Sequence, residues 1–134
     1  MSGENTELVR SICSAWDRGE YGDVTWADPE IEFVIADGPA PGQWTGLSGM
    51  AEGWRSWLSA WDDFSQEVEE VRELDDDRVL ALFIGKGRGK TSGIDLTSMH
   101  PRGGAGIFHL RDGAVTRFLV YLDREAALED LRSG

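Results

Sequence analysis

The sequence predicts an α+β domain in which helices come first and an antiparallel sheet follows. Three observations carry this expectation. Leu8, Ile12 and Trp16 recur at helical spacing near the N-terminus. A second, bulkier stripe runs through Leu47, Met50, Ala51, Trp54, Trp57, Leu58 and Trp61. Beyond it, apolar residues fall in strand-length runs broken by turn sequences.

The first helix has Asn5 or Thr6 as its cap and Gly19 as its stop. The stretch Glu20–Trp26 reads as a short helical turn. "EIEFVI" then alternates, with Ile31, Phe33 and Ile35 on one face, and Pro29 marks its start. "DGPAPGQWTG" is a loop by its glycine and proline content. Residues Gly46–Asp62 form the second long helix, whose apolar face is suited to covering a sheet.

Phe64–Leu74 is polar and reads as an exposed, bulged strand. Val79–Ile84 is apolar on both faces, so this central strand needs a second layer or a partner subunit behind it. "GKGRGKTSG" is a weak strand or loop, and Pro101 with its glycines interrupts residues 94–106. "RDG" joins two long paired strands as a tight hairpin, and Arg124–Leu131 closes the chain as a short helix. No linker or repeat divides residues 1–134, and the length suits one domain.

Composition narrows the function classes. Thirteen Lys and Arg stand against 25 Asp and Glu, a formal charge of −12, which repels phosphate backbones and anionic lipid heads. Neither nucleic acid nor a membrane surface is therefore expected as a partner. The single cysteine, Cys13, allows no internal disulfide, and "MSGENTELV" lacks the basic and apolar segments of a secretory leader. A cytoplasmic location is the expectation. Two histidines and one cysteine match no metal-ligand spacing, so neither a metal nor another cofactor is expected. "GRGKTSG" lacks the first glycine of a phosphate loop, because Ile84 stands there.

The order of elements, the "G-x-x-x-M-A-E-G-W" of Gly46–Trp54, the "RDGAVTRF" hairpin and the closing "YLDREAALEDL" resemble the SnoaL-like branch of the nuclear transport factor 2-like superfamily. The resemblance spans about Glu7 to Leu131. It implies a cone-shaped, curved antiparallel sheet packed against about three N-terminal helices, with a short C-terminal helix and a deep apolar pocket. It also implies a homodimer through the outer face of the sheet. The superfamily includes polyketide cyclases, isomerases, hydratases and non-catalytic binders, so reaction cannot be read from fold.

Asp123 occupies the place at which SnoaL-type cyclases carry an aspartate base. It also precedes Arg-Glu-Ala-Ala-Leu as a helix cap would. If the protein is an enzyme, Asp123 is the base of a cofactor-independent isomerase, cyclase, lyase or hydrolase, with His100 or Tyr121 as partner donor. Two departures weigh against particular reactions. Phe33 stands where a ketosteroid isomerase-like base is expected, and Trp16 stands near the expected tyrosine. The middle strand also lacks the Arg-x-Asp of an epoxide hydrolase.

Six tryptophans are an unusual number, and the three on one stripe, Trp54, Trp57 and Trp61, are more than a thin core usually needs. Trp16, Trp26, Trp54 and Trp57, with Phe33 and Phe108, are candidates for an aromatic wall around a flat apolar ligand. Asp37, Asp95 and Met99 are further candidate contacts, and His109 reads as a structural strand histidine. The leading expectation is binding of a small apolar organic molecule. The alternative is a non-catalytic dimeric binding or interaction module.

Overall fold

A computed structural model describes residues 2–20, 22–37, 41–90, 93–99 and 101–133. Helix α1 spans Ser2–Asp17 and helix α2 spans Gly46–Ser59. The strands are β1 (Ala27–Ile35), β2 (Gly42–Thr45), β3 (Trp61–Glu73), β4 (Arg78–Gly89), β5 (Gly104–Arg111) and β6 (Ala114–Tyr121). A one-turn helix, α3 (Leu96–Met99), lies between β4 and β5, and α4 (Arg124–Ser133) closes the chain. No described helix is long and apolar enough to cross a membrane.

The strands form one sheet in the order β2-β1-β6-β5-β4-β3. The expected antiparallel sheet is mixed, because β1 pairs with β6 in parallel, Phe33 opposite Phe118 and Ile35 opposite Val120. That pairing links the first and last strands and has no local sequence signal. The loop expected after β1 contains β2, which pairs antiparallel with β1 through Phe33 and Trp44.

Other boundaries differ as well: α1 begins at Ser2, so Asn5 and Thr6 lie within the helix and do not cap it. Gly22–Trp26 forms no helix and ends in a turn fixed by Trp26 donating its indole N–H to the Asp23 carbonyl at 2.8 Å. Helix α2 stops at Ser59, two residues short of Trp61, which begins β3 instead. The stretch "GKGRG", Gly85–Gly89, belongs to the second half of β4, paired with β3 as far as Trp61 opposite Gly89. Asp63, with φ of 52°, marks the irregularity in β3 between Asp62 and Ser65.

Other features match their local chemistry. Gly19, with φ of 79°, ends α1. Its N–H donates to the Trp16 carbonyl, and Glu20 N–H donates to the Ala15 carbonyl. These two bonds satisfy carbonyls the helix would otherwise leave open. Asp112 and Gly113 both take positive φ, as the two-residue turn between β5 and β6 requires.

The core has two parts, one on each side of the sheet. On the inner side, α1 and α2 cover Ile31, Phe33, Ile35, Phe108, Phe118 and Val120. On the outer side, α4 packs over Leu80, Leu82, Ala105, Ile107 and Tyr121 through Ala127, flanked by Ala126, Leu128 and Leu131. Of the two expectations for the far side of Val79–Ile84, a second layer or a partner subunit, α4 provides a second layer.

Candidate functional site

The hollow expected between the helices and the sheet is largely filled by the chain's own rings. Trp16, on α1, contacts Trp26, Trp54, Phe108 and Phe118 at centroid distances of 5.2–6.0 Å. Phe33 stacks on Trp54 at 5.4 Å and on Phe118 at 5.6 Å, and Phe108 stacks on Phe118 at 4.4 Å. Phe33, Phe108 and Phe118 are essentially without solvent contact. Burying each side chain of this kind contributes ~1.5–3 kcal/mol, so these rings act as core. Of the expected aromatic wall, Trp16, Trp26, Phe33, Trp54 and Phe108 all belong to this stack.

Space remains beside the stack, where the ends of several elements meet. An apolar cavity of ≈ 10 Å³ is lined by Trp57, Phe64, Phe83 and Gly85. Leu96, Gly103, Gly104 and Leu122 complete its wall. That volume accommodates about one water molecule. Trp57 reaches it from the last turn of α2 and packs edge-on against Phe64 at 6.0 Å. Leu96, buried on the short α3, closes one side.

The glycines are steric requirements. A side chain on Gly103 would run into the Phe83 carbonyl, and one on Gly104 into the Tyr121 carbonyl. The cavity wall therefore includes bare backbone, with β5 pressed close to β4 and β6. Of the lining, only Trp57 stood out from sequence. The Gly-Gly pair at 103 and 104, between a proline and an apolar run, was a signal for close backbone approach that could have located it.

Acidic groups adjoin this end of the sheet without opening into a free pair. Asp37 follows β1 and accepts two backbone N–H groups, from Leu122 at 2.6 Å and Asp123 at 3.2 Å. It is half-buried and ties the end of β1 to the end of β6. Asp123 caps α4: its Oδ1 accepts the Glu125 N–H at 3.1 Å. Both carboxylates thus hold backbone together.

The other candidates lie apart. Tyr121 points to the outer side, where its hydroxyl donates to Asp130 on α4 at 2.8 Å. Burial, then the bond to Asp130, pushes its pKa up to about 12, so the phenol is neutral at physiological pH. Asp95 is exposed and pairs with Arg88 at 3.5 Å on the surface. Met99 ends α3. His100 lies outside the described residues. His109 is half-buried opposite Arg117, and its pKa is lowered by burial and then by that guanidinium, which favours the neutral ring.

No curated protein matches the sequence. An NTF2-like protein from Burkholderia thailandensis E264 superposes with a TM-score of 0.72 at 16% identity, covering 94% of this chain and 95% of that one. TerC, co-crystallised with polyporic acid, gives a TM-score of 0.68 at 20% identity, covering 98% and 99% of the two chains. A candidate polyketide cyclase from Sinorhizobium meliloti gives 0.62 at 17% identity, covering 85% and 93%. At these identities the likeness establishes the fold. Residues 9–118 match the model of the SnoaL-like domain, and the chain belongs to that family.

Proposed function

We propose that the protein binds a small, flat, mostly apolar organic molecule at the wide end of a cone formed by the sheet and its helices. The observation that carries this reading is the apolar cavity walled by Trp57, Phe64, Phe83, Leu96 and Leu122, with glycine backbone as its floor. An enclosed apolar space with an aromatic wall favours such guests through burial of their surface.

At ≈ 10 Å³ the cavity has room for about one water molecule, so a larger guest is admitted only where the wall moves. Opening it requires α3 to lift, which withdraws Leu96. Helix α3 is one turn long, and its flank carries one exposed ion pair, Arg88 with Asp95. Displacing the helix breaks that pair, which contributes about 0–1 kcal/mol, and exposes Leu96, whose burial contributes ~1.5–3 kcal/mol, so the ligand's own buried surface must offset both.

Storage or transport of the ligand fits the site better than acid–base chemistry. A general base must present a free oxygen to its substrate. Asp37 spends both oxygens on backbone amides, and Asp123 spends Oδ1 on the α4 cap and is not among the residues that line the cavity. Tyr121 and Asp130 satisfy each other on the far side of the sheet.

Titration with planar aromatic polyketide-, steroid- and terpene-like compounds, polyporic acid among them, tests the reading. A binder quenches tryptophan emission, and Trp57→Phe removes most of that response. A panel that neither quenches the emission nor raises the melting temperature would end the proposal.

A further inference from the structure

A charged surface groove adjoins the apolar cavity, and consecutive residues on three elements divide between the two spaces. The groove, of ≈ 610 Å³, is lined by Asp62, Asp63, Lys86, Arg88, Asp95 and Thr97. On β3, Asp63 lines the groove and Phe64 the cavity. On β4, Gly85 lines the cavity and Lys86 the groove. At α3, Asp95 and Thr97 line the groove, and Leu96 between them lines the cavity. The irregularity at Asp63 sets this division on β3, where two successive aspartates border the groove before Phe64 turns inward.

Leu96 separates the two spaces at α3, and it is only 3% exposed. Its side chain rests on the bare α-carbon of Gly85. A Cβ at that glycine would stand 2.8 Å from Leu96 Cδ2, whereas Phe64 Cε1 would lie at an ordinary 3.8 Å. The seat therefore exists because position 85 has no side chain. Just before α3 the chain is pinned to the end of β4. Gly89 N–H donates to the Ile94 carbonyl at 3.1 Å, and Gly93 N–H donates to the Gly89 carbonyl at 2.8 Å. Beyond this tether α3 is a single turn, with Ser98 N–H donating to the Asp95 carbonyl at 3.0 Å. A turn this short swings on its tether without disturbing the sheet.

Resting on the binding reading above, we propose that the groove is the entrance to the cavity and that Leu96, seated on Gly85, is its latch. A guest meets the charged groove first and passes inward when Leu96 leaves its seat. Residue 85 then sets the rate of entry, while the cavity wall sets the affinity.

Acrylamide quenching of Trp57 emission, taken as the difference between each form and its Trp57→Phe counterpart, reads access without any ligand. Gly85→Ala pushes Leu96 off its seat, and Leu96→Ala removes the latch. Each is expected to raise the Trp57 quenching constant by roughly threefold or more. The double variant is expected to match Leu96→Ala, because no Cδ2 remains for the added methyl to displace. Unmoved quenching in Gly85→Ala overturns the latch, even where Leu96→Ala does not fold, and so does a further rise in the double variant. The neutral, flat dye 1-aminoanthracene tests the binding reading separately. Its association rate, followed by stopped-flow fluorescence, rises in the variants by the same factor as the quenching. If the dye and the compound panel bind no form while quenching rises as stated, the binding reading falls and the latch stands.

Discussion

The carboxylate of Asp37 accepts the backbone N–H of Leu122 at 2.6 Å, joining the end of the first strand to the end of the last across 85 positions of sequence. Its second oxygen takes the N–H of Asp123 at 3.2 Å. The same few residues fix the rim of the cavity, since Leu122 is in its wall, and the start of α4, since Asp123 caps it. Asp37→Ala leaves both N–H groups without their acceptor. The expected cost is about 1.5–3 kcal/mol, because hydrogen bonds to a charged group lie at the strong end of the range. Asp37→Asn keeps one acceptor and loses roughly half as much. Urea unfolding at neutral pH reads both, and equal midpoints for the two variants and the parent would show that the strand ends hold without this clasp.

Gly53 offers a test in which two effects oppose each other. It lies inside α2, where replacing glycine by alanine ordinarily gains ~1 kcal/mol. A Cβ there would meet Phe33 Cδ2 at 2.6 Å and Trp44 Cε3 at 2.8 Å. Phe33 is fully buried within the aromatic stack and cannot yield cheaply. Overpacking of this kind costs about 1–3 kcal/mol, which outweighs the helical gain. Gly53→Ala should therefore lower the melting temperature by roughly 3–5 °C. A rise would mean that the helix has slack above the sheet.

Alkaline pH should weaken the fold by a definite route. Burial, then Asp17, pushes the Cys13 thiol from 9.0 to about 12, and the Tyr121 phenol rises from 10.0 to about 12. In both cases the folded state favours the protonated, neutral form. The stability this contributes is intact below about 9 and is lost as pH climbs toward about 12. The urea midpoint should fall between pH 8 and pH 11, and the fall should be shallower in Tyr121→Phe. A parallel decline in the variant would assign the loss to other groups.

The sequence revealed elements whose signal is local. The i, i+4 spacing of Leu8, Ile12 and Trp16 and the stop at Gly19 predicted α1, and Asp112-Gly113 predicted the β5–β6 turn. Helix α2 was legible as far as Leu58. Its stripe runs on in sequence through Trp61, because the residue that enters a strand after Ala60 falls in helical phase. Strand β2 hid between glycines and prolines, since a short edge strand takes its stability from its neighbour β1. The parallel β1–β6 pair was invisible for a different reason: such a contact is decided by what remains unpaired elsewhere.

The candidate site was legible only in part. Residue type identified the aromatic population, but whether a ring faces a ring or a vacancy depends on relative placement. Trp16, Phe33, Trp54 and Phe108 filled the space they were expected to border. The residues around the remaining cavity are mostly glycines and leucines, types that carry no chemical signature. Tyr121 and Asp130 met on the outer side through strand alternation and helix phase together, neither of which sequence fixes to a given side.

Pairing between β1 and β6 also has a bearing on synthesis. The first strand leaves the ribosome long before its inner neighbour exists, with only the four-residue β2 beside it. Throughout that interval the Ile31–Phe33–Ile35 edge is exposed to other nascent chains and to chaperones. Assembly must wait for the last strand, so a messenger cut short before codon 114 yields a polypeptide whose opening strand can never be enclosed.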